Sequence, residues 1–161
     1  MTIKVGDKLP SVTLRQVTPE GPKEVTTDEF FRGKKVALFA VPGAFTPACS
    51  QRHLPGYVDK AADIKGKGVD EIACVAVNDA AVMTAWGKDQ KTGGKVTMLA
   101  DGSGDFVRAL GLELDLTKAG LGMRSKRYSM LVDNGVVKSL NIEQQPGQVD
   151  VSSADTMLRA L

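Results

Sequence analysis

The chain has 161 residues, 42% hydrophobic and 25% charged, the balance of one globular domain and not of a disordered chain. Lys and Arg number 21 against 19 Asp and Glu, and a formal charge of +2 argues against nucleic-acid binding through phosphate neutralisation. Two cysteines and one histidine cannot build a disulfide framework, nor a four-ligand zinc site without carboxylates; no metal and no cofactor are expected.

Residues 1–30 carry short apolar alternations (Val12, Leu14, Val25) broken by Thr18-Pro19-Glu20-Gly21-Pro22, which predicts a small hairpin or edge element. Val36 to Val41 is an unbroken apolar run of strand length, as expected for a strand buried on both faces, and it stops at Pro42-Gly43. Thr46-Pro47 then reads as a helix start, with threonine as cap and proline at the first helical position. Leu54, Tyr57, Val58, Ala61 and Ala62 continue that helix, Pro55 should kink it, and Lys65-Gly66-Lys67-Gly68 ends it.

The alternation then repeats. Glu71 to Val77 predicts a second buried strand, and Asn78-Asp79 can cap a helix carrying Val82, Met83 and Trp86. Val96 to Ala100 is a third strand, and Asp105 to Leu110 a short helix. Strand, helix, strand, helix, strand implies right-handed crossovers and a parallel sheet. Later, Arg127 to Asp133 and Val136 to Ile142 flank Asn134-Gly135, the signal of a type I′ hairpin. Ser152 with Asp155 suggests a cap for a terminal helix bearing Ala154, Met157, Leu158 and Leu161. No repeat or linker divides the chain, so residues 1–161 are expected to form a single α/β domain, its central mixed sheet flanked by helices.

No run approaches the ~18–20 apolar residues of a membrane span, and Met1 to Asp7 lacks the apolar stretch of a signal peptide. A cytoplasmic location with reduced thiols is expected; an organellar protein that has lost a transit peptide would read the same way.

Thr46-Pro47-Ala48-Cys49 therefore follows a buried strand and opens a helix, where open α/β sheets place their chemistry. Backbone N–H groups and the helix dipole favour an anion there, and hence the thiolate of Cys49. The spacing is that of a Cys-x-x-Cys redox motif with threonine in the first place. A free cysteine is more often a small buried hydrophobe. Helical phase argues the other way: Cys49 lies nine residues from Val58, about 180° around a regular helix at ~100° per residue. His53, one turn on, reads either as a base paired with the thiol or as a packing residue. Arg124, Lys126 and Arg127 form a basic cluster whose spacing alone does not single out one of them.

Val41-Pro42-Gly43-Ala44-Phe45-Thr46-Pro47-Ala48-Cys49-Ser50 resembles the peroxidatic-cysteine loop of peroxiredoxins, with the signature Pro-x-x-x-Thr-x-x-Cys. His53-Leu54-Pro55-Gly56-Tyr57, Val77-Asn78-Asp79, Trp86-Gly87, Gly111 to Leu116 and Arg124 to Tyr128 extend the similarity over the whole chain, toward the type II (PrxV-like) subfamily and its glutaredoxin- or thioredoxin-dependent plant and bacterial members. The resemblance implies a thioredoxin-like fold and a thiol peroxidase acting on hydrogen peroxide and alkyl hydroperoxides. It implies that Cys49 attacks the peroxide, that the Thr46 hydroxyl and the Cys49 N–H hold its oxygens, that Pro42 shields the pocket, and that Arg127 is the active-site arginine. His53 receives only a supporting role.

Cys74 sits inside an apolar strand and is expected to be an inert core thiol. Animal PrxV-type proteins place a resolving cysteine near the C-terminus, and the corresponding stretch here, Gly147 to Ser153, has none. An external thiol, glutathione with glutaredoxin or thioredoxin, is therefore implied. So is a noncovalent homodimer, with Phe45 and the segment around Asp79 as contacts. The same helix-terminal cysteine would also suit a disulfide oxidoreductase, or a redox-signalling or holdase protein switched by its oxidation.

Overall fold

The computed structural model describes residues 1–161. The chain starts with a hairpin, β1 (Thr13–Thr18) and β2 (Gly21–Thr26), and a short helix α1 (Thr27–Phe31). Strand β3 (Lys35–Ala40) leads to a π-helical turn (Cys49–His53), α2 (Leu54–Asp59) and α3 (Ala61–Gly66). Next come β4 (Glu71–Ala76), α4 (Ala80–Asp89), β5 (Thr97–Ala100) and α5 (Asp105–Leu110). The last third holds β6 (Glu113–Leu116), a 3₁₀ turn, β7 (Gly122–Ser125), β8 (Tyr128–Asp133), β9 (Val136–Ile142) and α6 (Ala154–Ala160).

Seven strands form one sheet in the order β2-β1-β5-β4-β3-β8-β9, and β6 pairs with β7 in a separate ribbon. The three central strands are parallel. Antiparallel pairs extend the sheet on both sides, β1–β2 beyond β5 and β8–β9 beyond β3. This is the mixed sheet expected from the element order, and it has the thioredoxin-like form. The β8–β9 turn places Asn134 at φ 49° and Gly135 at φ 82°, the doubly positive geometry of a type I′ turn.

The unbroken apolar run of β3 has a direct physical reason. Val36, Leu38 and Ala40 enter one core cluster with Leu14, Phe31, Val75 and Phe106. Ala37, Phe39 and Val41 enter the opposite one with Cys49, Tyr57, Cys74 and Trp86. A strand covered on both faces has no solvent side for polar residues. Each fully buried Leu or Phe along it is worth ~1.5–3 kcal/mol relative to exposure.

Three expectations need correction. The helix expected from Thr46 to Gly68 is not one kinked rod: it opens with a π-helical turn and breaks again at Lys60. In that turn the Leu54 N–H donates to Cys49 O, five residues back. Pro55, which has no N–H to give, then falls in the first turn of α2, where none is needed. The terminal helix is capped by Ser153, which accepts from the Thr156 N–H, because the Ser152 side chain is bonded to Glu143 instead. Helix α1 was not expected, although Thr26 and Glu29 form a full capping box that was open to reading.

Candidate active site

The strand-to-helix loop is shaped by close approaches. Pro42 and Gly43 are buried where β3 ends. A Cβ on Gly43 would lie 3.0 Å from Arg124 Nη1 and 3.1 Å from Thr46 Cγ2, so a side chain there would force the loop from its neighbours. Phe45 adopts φ 65°, a left-handed conformation costly for a non-glycine residue. Asn78 Oδ1 accepts from the Ala44 N–H at 2.9 Å and ties this loop to the end of β4. Trp86 Nε1 donates to Ser50 Oγ at 3.0 Å and holds the next turn against α4.

Cys49 is fully buried and belongs to the core cluster on its side of the sheet. The phase argument that set it opposite the apolar stripe fails, because the wide π turn shifts the helical register between Cys49 and Tyr57. Being in the core does not leave it unpartnered. Arg127, from the residue preceding β8, donates through Nη2 to Cys49 Sγ at 3.1 Å. Its Nη1 reaches His53 Nδ1 at 2.9 Å, and its Nε donates to Pro146 O at 3.0 Å. Arg127 is 2% exposed, and no carboxylate is in ion-pair contact with it. The geometry thus separates the basic cluster: Arg127 faces sulfur, while Arg124 lies along the loop, with Nε donating to Leu121 O and Nη1 3.4 Å from Pro42 O.

His53 is 1% exposed, with Nδ1 facing Arg127 and Nε2 3.0 Å from Ser152 O. Since a guanidinium only donates and a carbonyl only accepts, the proton sits on Nε2 and Nδ1 is the acceptor. Burial, reinforced by the Arg127 charge, pushes the imidazole down from 6.5 to about 3 against the opposing pull of the Ser152 carbonyl. His53 is therefore neutral at physiological pH and has no hydrogen bond to the thiol. Its two nitrogens are taken up by Arg127 and Ser152 O, which leaves neither to pair with Cys49.

The Thr46 hydroxyl donates to Gly43 O at 2.6 Å. With its one proton engaged, Oγ1 offers a substrate only lone pairs, so it can accept from a peroxide O–H but not donate to a peroxide oxygen. The Cys49 N–H, at the helix start, makes no backbone hydrogen bond and remains a free donor.

Cys74 is fully buried in β4, opposite Phe39 of β3 and Met98 of β5. Burial, with the nearby Cys49 charge, pushes its thiol well up. No group of three His, Cys, Asp or Glu side chains is arranged to hold a metal.

Several site groups gave no local signal in the sequence. Tyr57 donates to Ser152 O at 2.9 Å and stacks on Phe39 with ring centroids 3.9 Å apart. Glu143 Oε2 accepts from the Asp150 N–H at 2.7 Å, the Ser152 N–H at 2.8 Å and Ser152 Oγ at 2.6 Å. Burial opposes the charge of Glu143, but these bonds hold its carboxyl below the usual range. Arg52 Nη2 donates to Gly147 O at 2.6 Å.

The redoxin family model matches residues 4–158. Peroxiredoxin-2E, chloroplastic, of Arabidopsis thaliana is 53% identical over 99% of this chain and 70% of its own length. Peroxiredoxin-2B of the same plant is 48% identical over 99% of this chain and 98% of its own. The crystal structure of reduced Prx3 in complex with H2O2 from Vibrio vulnificus superposes with a TM-score of 0.93 at 53% identity, covering 99% of each chain. A buried thiol facing a guanidinium, on this fold and with this identity along its whole length, places the chain in the redoxin family as a type II peroxiredoxin, a thiol peroxidase.

Proposed function

We propose that Cys49 is the peroxidatic residue and that Arg127, Thr46, Pro42 and the Cys49 N–H assemble the peroxide around it. The observation that carries this reading is the Arg127 guanidinium, buried, without a carboxylate, and 3.1 Å from Cys49 Sγ. A buried cation with only neutral acceptors calls for an anion, and the thiolate supplies it. Sulfur attacks the nearer peroxide oxygen, an S–O bond forms as the O–O bond breaks, and the sulfur is oxidised by two electrons to sulfenic acid. The departing oxygen leaves as hydroxide or alkoxide and takes up a proton to become water or an alcohol. Charge moves from sulfur to that oxygen during the step, so fixed donors facing both are favourable. Arg127 and the Cys49 N–H are such donors, and Thr46 Oγ1 accepts a hydrogen bond from the peroxide O–H. Pro42, buried at the strand end, keeps bulk water away.

A second thiol then condenses with the sulfenic acid, releasing water and leaving a mixed disulfide that a further thiol reduces. The burial of Cys74 supports an external donor, with glutathione and glutaredoxin or thioredoxin as candidates. Hydrogen peroxide and alkyl hydroperoxides are the proposed substrates. Phe45 is 52% exposed at a strained φ and supports the homodimer contact expected there.

Stopped-flow mixing with peroxide tests the central step. Wild type should lose its free Cys49 thiol within the mixing time course, and with a reductant panel it should turn over. Peroxide consumption no faster than that of Cys49→Ser would overturn the assignment.

A further inference from the structure

Residues 143–153 join β9 to α6 and pass over the active-site arginine without contributing any side chain to the reaction. The Glu143 N–H donates to Arg127 O at 2.9 Å, so the segment starts as an extension of the β8–β9 ladder. Its carbonyls then take up the site's donors in turn. Pro146 O receives Arg127 Nε, Gly147 O receives Arg52 Nη2, and Ser152 O receives both His53 Nε2 and Tyr57 OH. The segment has neither helix nor strand of its own to hold those carbonyls in place. What closes it is one carboxylate oxygen. Glu143 Oε2 collects Asp150 N–H, Ser152 N–H and Ser152 Oγ, drawing the far end of the segment back onto its beginning.

We infer that Glu143 is a positioning residue for peroxide reduction: it fixes the Ser152 carbonyl, which orients His53, which in turn orients the guanidinium of Arg127 on Cys49. The relay is continuous at hydrogen-bond distance, 2.8 Å into Glu143, 3.0 Å from Ser152 to His53, 2.9 Å to Arg127 and 3.1 Å to sulfur. Its direction follows from chemistry. No carboxylate contacts Arg127, so apart from Cys49 sulfur itself its place is set by neutral acceptors. One of these, His53, accepts at Nδ1 only while Ser152 O holds the proton on Nε2. A Ser152 carbonyl released from Glu143 lets His53 change tautomer or ring orientation, and the guanidinium loses its acceptor. The inference rests on the peroxidase reading of Cys49 and Arg127 and adds to it a residue with no contact to the reacting atoms.

A double-mutant cycle tests it. Second-order rate constants for Cys49 oxidation by hydrogen peroxide are measured by stopped-flow for wild type, Glu143→Ala, Arg127→Ala and the double variant. Trp86 fluorescence reports the reaction, since Trp86 is the only tryptophan and is bonded to Ser50 beside Cys49. Glu143→Ala should slow oxidation roughly tenfold or more, the scale of a displaced catalytic group. In the Arg127→Ala background the same change should alter the rate less than about twofold, because groups acting through one another are not additive. Glu143→Gln, whose amide oxygen still accepts, should recover part of the loss. The single histidine gives a second readout: nitrogen NMR should show the Nε2–H tautomer in wild type and a mixed population in Glu143→Ala. An equal rate loss in both backgrounds, or an unchanged tautomer with a slowed rate, would overturn the inference by making the role general to the fold. If Glu143→Ala does not fold, Glu143→Gln and Ser152→Ala carry the same cycle, and additivity there overturns it equally. A wild type inert to peroxide would remove the underlying peroxidase reading instead, so the two failures are separable.

Discussion

Acid should destabilise this protein through His53, and replacing that residue should remove a defined part of the effect. In the unfolded chain the imidazole takes up a proton near pH 6.5; in the folded protein it does so only near 3, because burial and Arg127 disfavour the cation. A depressed histidine value means that the unfolded state binds the proton first. The stabilisation is therefore complete above pH 6.5 and is lost progressively as pH falls toward 3. At pH 5 the span already crossed is about 1.5 units, which at 1.36 kcal/mol per unit amounts to roughly 2 kcal/mol. His53→Gln keeps an amide that can contact Ser152 O and Arg127 but has no proton to gain. Urea unfolding of both proteins should show the largest stability gap at pH 7.5 and a gap smaller by about 2 kcal/mol at pH 5. NMR titration of the lone histidine should leave its ring shifts flat over that range. A gap constant to within roughly 0.5 kcal/mol, or a ring that titrates near 6.5, would refute the burial and tautomer argument together.

Two further outcomes follow from the site. Arg127→Ala should slow Cys49 oxidation by about 10²–10³-fold, the cost of losing one preorganised donor to developing charge, and Arg127→Lys should recover little because a lysine cannot reach sulfur, His53 and Pro146 O at once; stopped-flow kinetics decide this, a near-normal rate in Arg127→Ala would return the role to Arg124, and one in Arg127→Lys would show that a point charge at this position suffices. Cys74→Ala should lower stability by about 1 kcal/mol while leaving turnover with an external thiol intact, and a folded variant that had lost turnover would show that Cys74 resolves the sulfenic acid.

The legible parts of this protein were those decided by neighbours in sequence. Val36 to Val41 and Glu71 to Val77 declare buried strands because both their faces are apolar, and Asn134-Gly135 declares a turn that few other residue pairs allow. Cys49 was legible as a site because strand end, threonine, proline and thiol fall within a few residues. The environment of that thiol was not. Its register depends on a π turn, for which no residue pattern is diagnostic, and so its burial was misjudged. Thr46 was recognisable, but whether its proton faced substrate or Gly43 O depends on the loop geometry. Ser152 meets His53 from 99 positions away and Pro146 meets Arg127 from 19, both through backbone carbonyls, which every residue type possesses, and Glu143 reaches the site only through Ser152. Sequence composition carries no mark of such groups.

Cys49 and its guanidinium partner lie on opposite sides of the seam where β8 joins β3, pairing Ala40 with Tyr128. Cys49 follows the inner strand of that pair and Arg127 precedes the outer one, 78 positions later in the chain. During synthesis the N-terminal portion emerges first, and it carries the cysteine with no guanidinium beside it. On the proposed roles, the guanidinium reaches sulfur only once β8 docks on β3. Completion of the sheet and assembly of the proposed site are then one event.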